Sequence, residues 1–156
     1  MLEIQKLGEI VQNIWASMVG AEVVFVGQPP SSDGGTPQDG HGSYVGVVRI
    51  SGAWSGALTI EFTPEGASNL AGALLGLLPD EITDDVVRDT IGEMANIMGG
   101  NMKALVPGPS SLSLPVVVER ESAEANLAGA DLLHRIFATS GGHPFAVSLY
   151  TWAGPV

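Results

Sequence analysis

The sequence predicts an α+β fold in which two long helices pack on one face of a β-sheet. Apolar residues recur at helical spacing over 2–19 and 83–106, and several segments are rich in β-branched and aromatic residues. A long helix followed by three strands occurs twice, which predicts a pseudo-twofold repeat. We expect the 156 residues to form a single domain, 1–156, because a chain of this length buries about 70% of its unfolded surface.

The composition narrows the classes of function. Six Lys and Arg stand against 17 Asp and Glu, which gives a formal charge of −11. So acidic a surface repels nucleic acid and anionic lipid, and we expect neither nucleic acid nor a membrane as partner. The chain has no cysteine, which excludes disulfides and thiolate chemistry. It lacks the basic start and unbroken apolar run of a signal peptide, so we expect a cytoplasmic location.

The first half of the chain is expected to contain one amphipathic helix and three strands. Leu7, Ile10 and Ile14 recur at helical spacing within 2–19, and Gly20 follows as a stop signal. Strands are predicted over 23–26, 43–51 and 54–63, the last two as an antiparallel hairpin. Residues 27–42 contain three Pro and five Gly, which is typical of a mobile surface loop.

The second half repeats that order after a short linking helix. Thr63 and Pro64 open the linking helix, which is expected to end near Leu77. A long helix begins after Thr83 and is expected to continue to Val106, before a Pro-Gly-Pro stop. Three strands are predicted over 112–119, 132–139 and 144–152, with 120–131 as a polar connection.

The repeat is also visible as a short sequence match. Residues 8–14 of the first long helix align with residues 92–98 of the second, and both segments begin Gly-Glu and carry a carboxamide side chain three residues after the Glu. Both copies fall on the helix that opens each half, which strengthens the prediction of a pseudo-twofold fold.

One face of the second long helix carries a row of polar and small residues. Its sheet-facing positions are expected to be Val87, Ile91, Met94, Ala95, Met98, Met102 and Leu105. On the opposite side lie Asp89, Glu93, Asn96, Gly100 and Lys103. An ordinary solvated helix face looks similar, but Asn and Gly weaken a helix interior, Gly by about 1 kcal/mol relative to Ala. The cluster of Asn and Gly over 96–101 therefore indicates selection for something besides helix stability.

The run from Asp89 to Lys103, followed by 112–118 with Pro115, resembles the signature of the CheC/CheX/FliY family of chemotaxis phosphatases. That signature is Asp or Ser, three residues, Glu, two residues, Asn and a distal Pro. Within the family the chain is most similar to CheX, because it has one intact Glu-x-x-Asn. The helix-and-three-strand repeat also agrees with the fold that the resemblance implies.

The resemblance implies hydrolysis of the aspartyl phosphate on a CheY-type response regulator. Asn96 would position the attacking water, and Glu93 would pair with a receiver lysine. The enzyme would need no cofactor or metal of its own, since Mg²⁺ is expected on the partner receiver. Five residues would form the partner-binding surface, where small side chains let the partner backbone approach: Asp89, Gly92, Gly99, Gly100 and Lys103. The row contains no Leu or Phe, which suits transient contact.

Alternatives remain open from the residues alone. A non-catalytic receiver-binding or flagellar-switch-like module has the same fold, and a structural or dimerisation domain would leave the polar row without function. On the first helix, Glu9 and Gln12 depart from Glu-x-x-Asn; they are interpreted as helix surface or a dimer contact, with a weak second site as the alternative. The resemblance implies a homodimer. No metal site is expected at His41, His134 or His143, since they have no Cys and no helically spaced ligand partner.

Overall fold

The computed structural model describes residues 4–20, 22–26, 43–106 and 108–152. These form the α+β architecture that the sequence predicts. The helices are α1 (Ile4–Ile14), α2 (Pro64–Leu75), α3 (Asp84–Lys103) and α4 (Arg120–Asn126). The strands are β1 (Val23–Val26), β2 (Tyr44–Gly52), β3 (Gly56–Phe62), β4 (Ser110–Leu112), β5 (Val116–Glu119), β6 (Ala130–Ser140) and β7 (His143–Trp152). The predicted loop over 27–42 lies outside the described residues.

The strand order shows the pseudo-twofold repeat. The sheet runs β1-β6-β7-β3-β2-β4, with β5 also pairing with β2, and neighbouring strands are antiparallel. Exchanging β1 with β4 and β5, β2 with β6, and β3 with β7 maps this order onto itself, with the axis between β3 and β7. The first strand of each half pairs with the other half, so the halves form one continuous sheet.

The predicted end of the first helix at Gly20 is confirmed, whereas other predicted element boundaries were wrong. The first helix changes at Trp15 to a π-helical turn, Trp15–Val19, which ends at Gly20 in the left-handed region with φ 71°. The long helix ends at Lys103, so Leu105 lies beyond it and is exposed. The strand predicted over 112–119 is divided at 113–115, where Pro115 has no N–H to donate to a ladder.

The segment predicted as a polar connection, 120–131, instead contains helix α4. Ala123 of that helix is buried against Val45 and Val47 of β2. These two valines alternate with the β2 residues that face α3, so α4 covers the opposite face of the sheet. Burial of this small apolar cluster stabilises a helix that the polar composition of 120–131 did not reveal.

Helices α1, α2 and α3 pack over the main core on one face of the sheet. Trp15 stacks on Phe145 with ring centroids 4.6 Å apart, and Phe62 lies 5.2 Å from Phe145. The Trp15 indole N–H donates to Ser140 Oγ at 2.8 Å, so the buried ring has its polar atom satisfied. Within the described ranges, no helix is long and apolar enough to cross a membrane.

Two glycines bring α3 close to the sheet. A Cβ added at Gly46 of β2 would lie 2.9 Å from Ile91 Cγ2, and one added at Gly99 of α3 would lie 2.7 Å from Val48 Cγ2. Neither distance is compatible with an additional side chain without movement, so glycine at both positions permits the observed approach. This contact fixes which side of α3 faces away from the core.

Candidate functional site

A groove of about 460 Å³ runs between α3 and the loop that joins β4 to β5. Its helix wall carries the polar side chains of Arg88, Asp89, Glu93 and Asn96, with Gly92 between them. Its other wall is apolar and is formed by Leu114, Pro115 and Val117. The structure therefore brings the distal Pro of the sequence signature to the Glu and Asn across an open groove.

Glu93 and Asn96 lie one helical turn apart on the groove wall. Glu93 is exposed and Asn96 is half-buried. Neither side chain has a hydrogen bond or an ion pair with another residue in the described part of the chain. A carboxylate acceptor and an amide that can both donate and accept thus stand side by side without internal partners. The arrangement can bind a cation and orient a water at neighbouring positions.

Arg88 connects the beginning of α3 to the strand across the groove. Its Nε donates to Asp84 Oδ2 at 2.8 Å, and its Nη1 donates to the carbonyl oxygen of Val117 at 3.1 Å. The guanidinium also lies 5.4 Å from the ring centroid of Tyr44, whose hydroxyl donates to Asp84 Oδ1 at 2.5 Å. Hydrogen bonds from Tyr44 and Arg88 lower the pKa of Asp84. These contacts hold β5 beside α3 at one end of the groove.

Three of the five residues predicted to bind a partner are exposed on α3, and a fourth, Gly92, is buried beneath the groove that it lines. Asp89 lines the groove and is exposed, and Gly92 forms its floor, where an added Cβ would lie 3.5 Å from Val117 Cγ2. Gly100 and Lys103 are exposed further along the helix, and a Cβ at Gly100 would meet nothing within 4 Å.

Gly99 is the exception and requires a correction. It is buried against Val48 and Leu112 and does not have the accessible position that the predicted partner contact requires. Its helical position, 100° from Gly100, places it on the sheet side. Gly99 therefore allows α3 to approach the sheet and cannot let a partner approach the helix.

The sequence analysis missed three groove residues: Arg88, Leu114 and Val117. Leu114 is the clearest of them, since its side chain is 86% exposed beside a row expected to lack large apolar contacts. The signal for Leu114 in the sequence was the proline that follows it in an apolar segment. A proline interrupts strand pairing, and the residue before it is then left in the connecting loop. The bond of Arg88 to β5 had no sequence signal, because its partner is a backbone carbonyl 29 residues away.

The positions on α1 that correspond to Glu93 and Asn96 differ in their contacts. Glu9 and Gln12 are both exposed. Glu9 forms an ion pair with Lys6, with Nζ and Oε2 3.7 Å apart. The carboxylate of Glu9 thus has an internal partner, whereas that of Glu93 has none among the described residues.

The family model described as chemotaxis phosphatase CheX matches residues 44–137, which include the whole of α3 and the groove. The chain belongs to the CheX family. A search of curated proteins finds no match.

Several solved structures share the fold at low sequence identity. CheX from Vibrio vulnificus superposes with a TM-score of 0.69 at 18% identity, covering 94% of this chain and 93% of that chain. The structure of a CheX–CheY–BeF3–Mg²⁺ complex from Borrelia burgdorferi matches with a TM-score of 0.69 at 17% sequence identity. The match covers 95% of this chain and 96% of that chain. The FliM middle domain from Vibrio alginolyticus matches with a TM-score of 0.61 at 12% sequence identity, covering 95% of this chain and 89% of that chain.

Proposed function

We propose that this chain hydrolyses the aspartyl phosphate of a CheY-type response regulator. The observation that carries the proposal is the pair Glu93 and Asn96, which line an open groove and have no side-chain partner among the described residues, in a member of the CheX family. A solved relative forms a complex with CheY, BeF3 and Mg²⁺, which supports a receiver domain as the partner. The homodimer and the cytoplasmic location stay predictions.

Asn96 is the proposed positioning group for the attacking water. Hydrolysis of an acyl phosphate forms a bond from water oxygen to phosphorus and breaks the bond from phosphorus to the aspartyl oxygen. The aspartyl carboxylate leaves, and both hydrogens of the water end on the inorganic phosphate, which exchanges them with solvent. Placing that water in line with the breaking bond is the main requirement, and a carboxamide can hold it by both donating and accepting. The half-buried position of Asn96 restricts its rotamers and suits this role.

Glu93 is the proposed orienting group. Its carboxylate has no partner in the described part of the chain and lies one turn from Asn96, so it can accept from a lysine ammonium of the receiver beside its phosphate. That ion pair would place the phosphoryl group over Asn96. In this proposal Mg²⁺ is held by the receiver, and this chain contributes no metal ligand. Asp89, Gly92, Gly100 and Lys103 would form the surrounding partner-binding surface, without Gly99.

The test is the decay of acyl phosphate on a candidate receiver with Mg²⁺. The assay compares no addition, wild type, Asn96→Ala, Glu93→Ala and the control Asn101→Ala, whose exposed amide is bonded to the Ile97 carbonyl at 2.8 Å. We expect kcat to fall on the order of 100-fold for Asn96→Ala while receiver binding persists. Wild-type behaviour is expected for Asn101→Ala. Equal decay in all samples, with a receiver that demonstrably binds, would exclude catalysis.

A second candidate is a receiver-binding module without turnover. The similarity to the FliM middle domain favours it, because that protein shares the fold at a TM-score of 0.61. In the same assay, this candidate predicts binding without acceleration, and no change in decay for any variant.

A further inference from the structure

We propose that Leu114 is an apolar docking anchor for the phosphorylated receiver, set across the groove from Glu93 and Asn96. This inference rests on the proposed function and adds a residue that determines partner affinity. The occupant is the apolar surface of the receiver next to its phosphorylated aspartate, which must approach the groove for the phosphate to reach Asn96.

Leu114 is unusual in its exposure. Its side chain is 86% exposed, whereas the other exposed large apolar side chains in the described ranges lie between 36% and 65%. It forms the rim of the same groove that contains Glu93 and Asn96. An exposed leucine at the edge of a concave polar site is the type of side chain that becomes buried when a partner covers the site.

The loop that presents Leu114 is held in place before any partner binds. The neighbouring Ser113 donates its N–H to the Arg49 carbonyl oxygen at 2.9 Å, and its Oγ accepts from the Arg49 N–H at 2.9 Å. Pro115 follows and restricts the backbone, and β4 and β5 both pair with β2 on either side of the loop. Little backbone entropy is therefore lost when Leu114 contacts a partner.

Charge gives an independent reason for an apolar anchor. The chain has a formal charge of −11, and Asp89 and Glu93 add negative charge to the groove itself. A phosphorylated partner is anionic at the contact point, so long-range electrostatics oppose its approach. Within the groove, Arg88 is the basic residue, and its Nε and Nη1 already bond to Asp84 and Val117. Apolar contact at Leu114 supplies attraction in addition to the proposed Glu93–lysine pair, and this attraction does not depend on net charge.

The experiment compares Leu114→Ser with Leu78→Ser in the full chain. Leu78 is also strongly exposed, at 65%, but lies before the 3₁₀ turn Pro79–Glu81 and does not line the groove. Two readouts are taken: kcat and KM for phospho-receiver, and the Kd for the beryllofluoride-bound receiver. We expect Leu114→Ser to raise KM and Kd by about 10- to 100-fold, with kcat within about twofold. Leu114→Met should retain most of the wild-type affinity, and Leu78→Ser should have the KM, Kd and kcat of wild type.

Several outcomes would overturn the inference. Unchanged KM and Kd for Leu114→Ser, or equal weakening by Leu78→Ser, would show that Leu114 is no specific anchor. A fall in kcat with unchanged KM would place Leu114 in the chemical step instead. A wild type that binds the receiver but does not hydrolyse its phosphate would contradict the proposed phosphatase activity. The role of Leu114 could still be decided in that case, because the ratio of the Kd of Leu114→Ser to that of wild type is measured without turnover. A wild type that binds no receiver contradicts both.

Discussion

Helices α1 and α3 are counterparts in the two halves of the repeat. Their sheet-facing sides are alike, whereas their outward-facing sides differ in side chains and contacts. The inner faces match position by position, and all members of the following pairs are buried: Leu7 and Ile91, Ile10 and Met94, Val11 and Ala95, Ile14 and Met98. The outer faces carry Glu9 with Gln12 on α1, and Glu93 with Asn96 on α3. Glu9 is paired with Lys6, whereas Glu93 faces the groove.

The repeat is preserved in the buried faces of the two helices, while the segment that lies opposite α3 contributes to the groove. In the second half, Pro115 divides the strand into β4 and β5, and the interruption leaves Leu114 and Pro115 opposite α3. Among the described residues, the corresponding part of the first half contains the strand β1. Two helices with matching buried faces therefore differ in the contacts of their outer faces.

Matched acid variants on the two helices test this comparison with the largest expected effect. Glu93→Gln removes the charge that would pair with a receiver lysine, so KM should rise about 10-fold or more, the usual cost of a charge-assisted bond. Glu9→Gln removes only an exposed ion pair and should leave both kcat and KM within about twofold. Steady-state hydrolysis of phospho-receiver measures both. A loss of activity in Glu9→Gln would show that α1 also carries a site.

Matched glycine variants give a smaller effect. Gly8→Ala and Gly92→Ala should each raise the free energy of unfolding by about 0.5–1 kcal/mol, because Ala is the better helix former. At Gly8 an added Cβ meets nothing within 4 Å, whereas at Gly92 it contacts Val117 Cγ2 at 3.5 Å on the groove floor.

We therefore expect kcat/KM to fall about threefold or more in Gly92→Ala and to stay unchanged in Gly8→Ala. Urea unfolding and phosphatase assays on the same preparations separate the two properties. Equal activity in both variants would mean that the groove floor is not close to the partner.

The smallest expected difference between α1 and α3 is in the pH dependence of stability. The pKa of Asp84 at the beginning of α3 is lowered by hydrogen bonds from Tyr44 and Arg88. A depressed carboxyl pKa stabilises the folded state above the unfolded pKa, about 3.9, and this stabilisation is lost as pH falls through the folded value. Asp84→Asn should therefore be less stable than wild type at pH 7, with the difference narrowing at pH 3.

The urea midpoints of wild type and Asp84→Asn at pH 7 and pH 3 measure this difference. A gap that stays constant or widens at pH 3 would contradict the assigned role of the Tyr44–Asp84–Arg88 contacts. Glu9→Gln on α1 serves as the control at pH 7, where loss of an exposed ion pair should change stability by less than about 1 kcal/mol.

Much of the fold followed from local sequence signals. Thr83, for example, predicted the beginning of α3 and accepts from the Val86 N–H at 3.2 Å, as expected for a cap. One error arose where tertiary contacts outweighed composition, since helix α4 is stabilised by Ala123 against β2. The error at Gly99 had a different cause, because its helical position already places it on the sheet side of α3, close to Val48.

The sequence by itself determined the α+β class, the repeat and the spacing that sets Glu93 and Asn96 on one side of α3, because helical periodicity and capping are local properties of the chain. Only the tertiary structure decided what lies opposite that side. Leu114, Pro115 and the bond from Arg88 to Val117 reach α3 because β4 and β5 pair with β2, a strand from the other half. Such pairing joins residues distant in the chain, and no local signal specifies it.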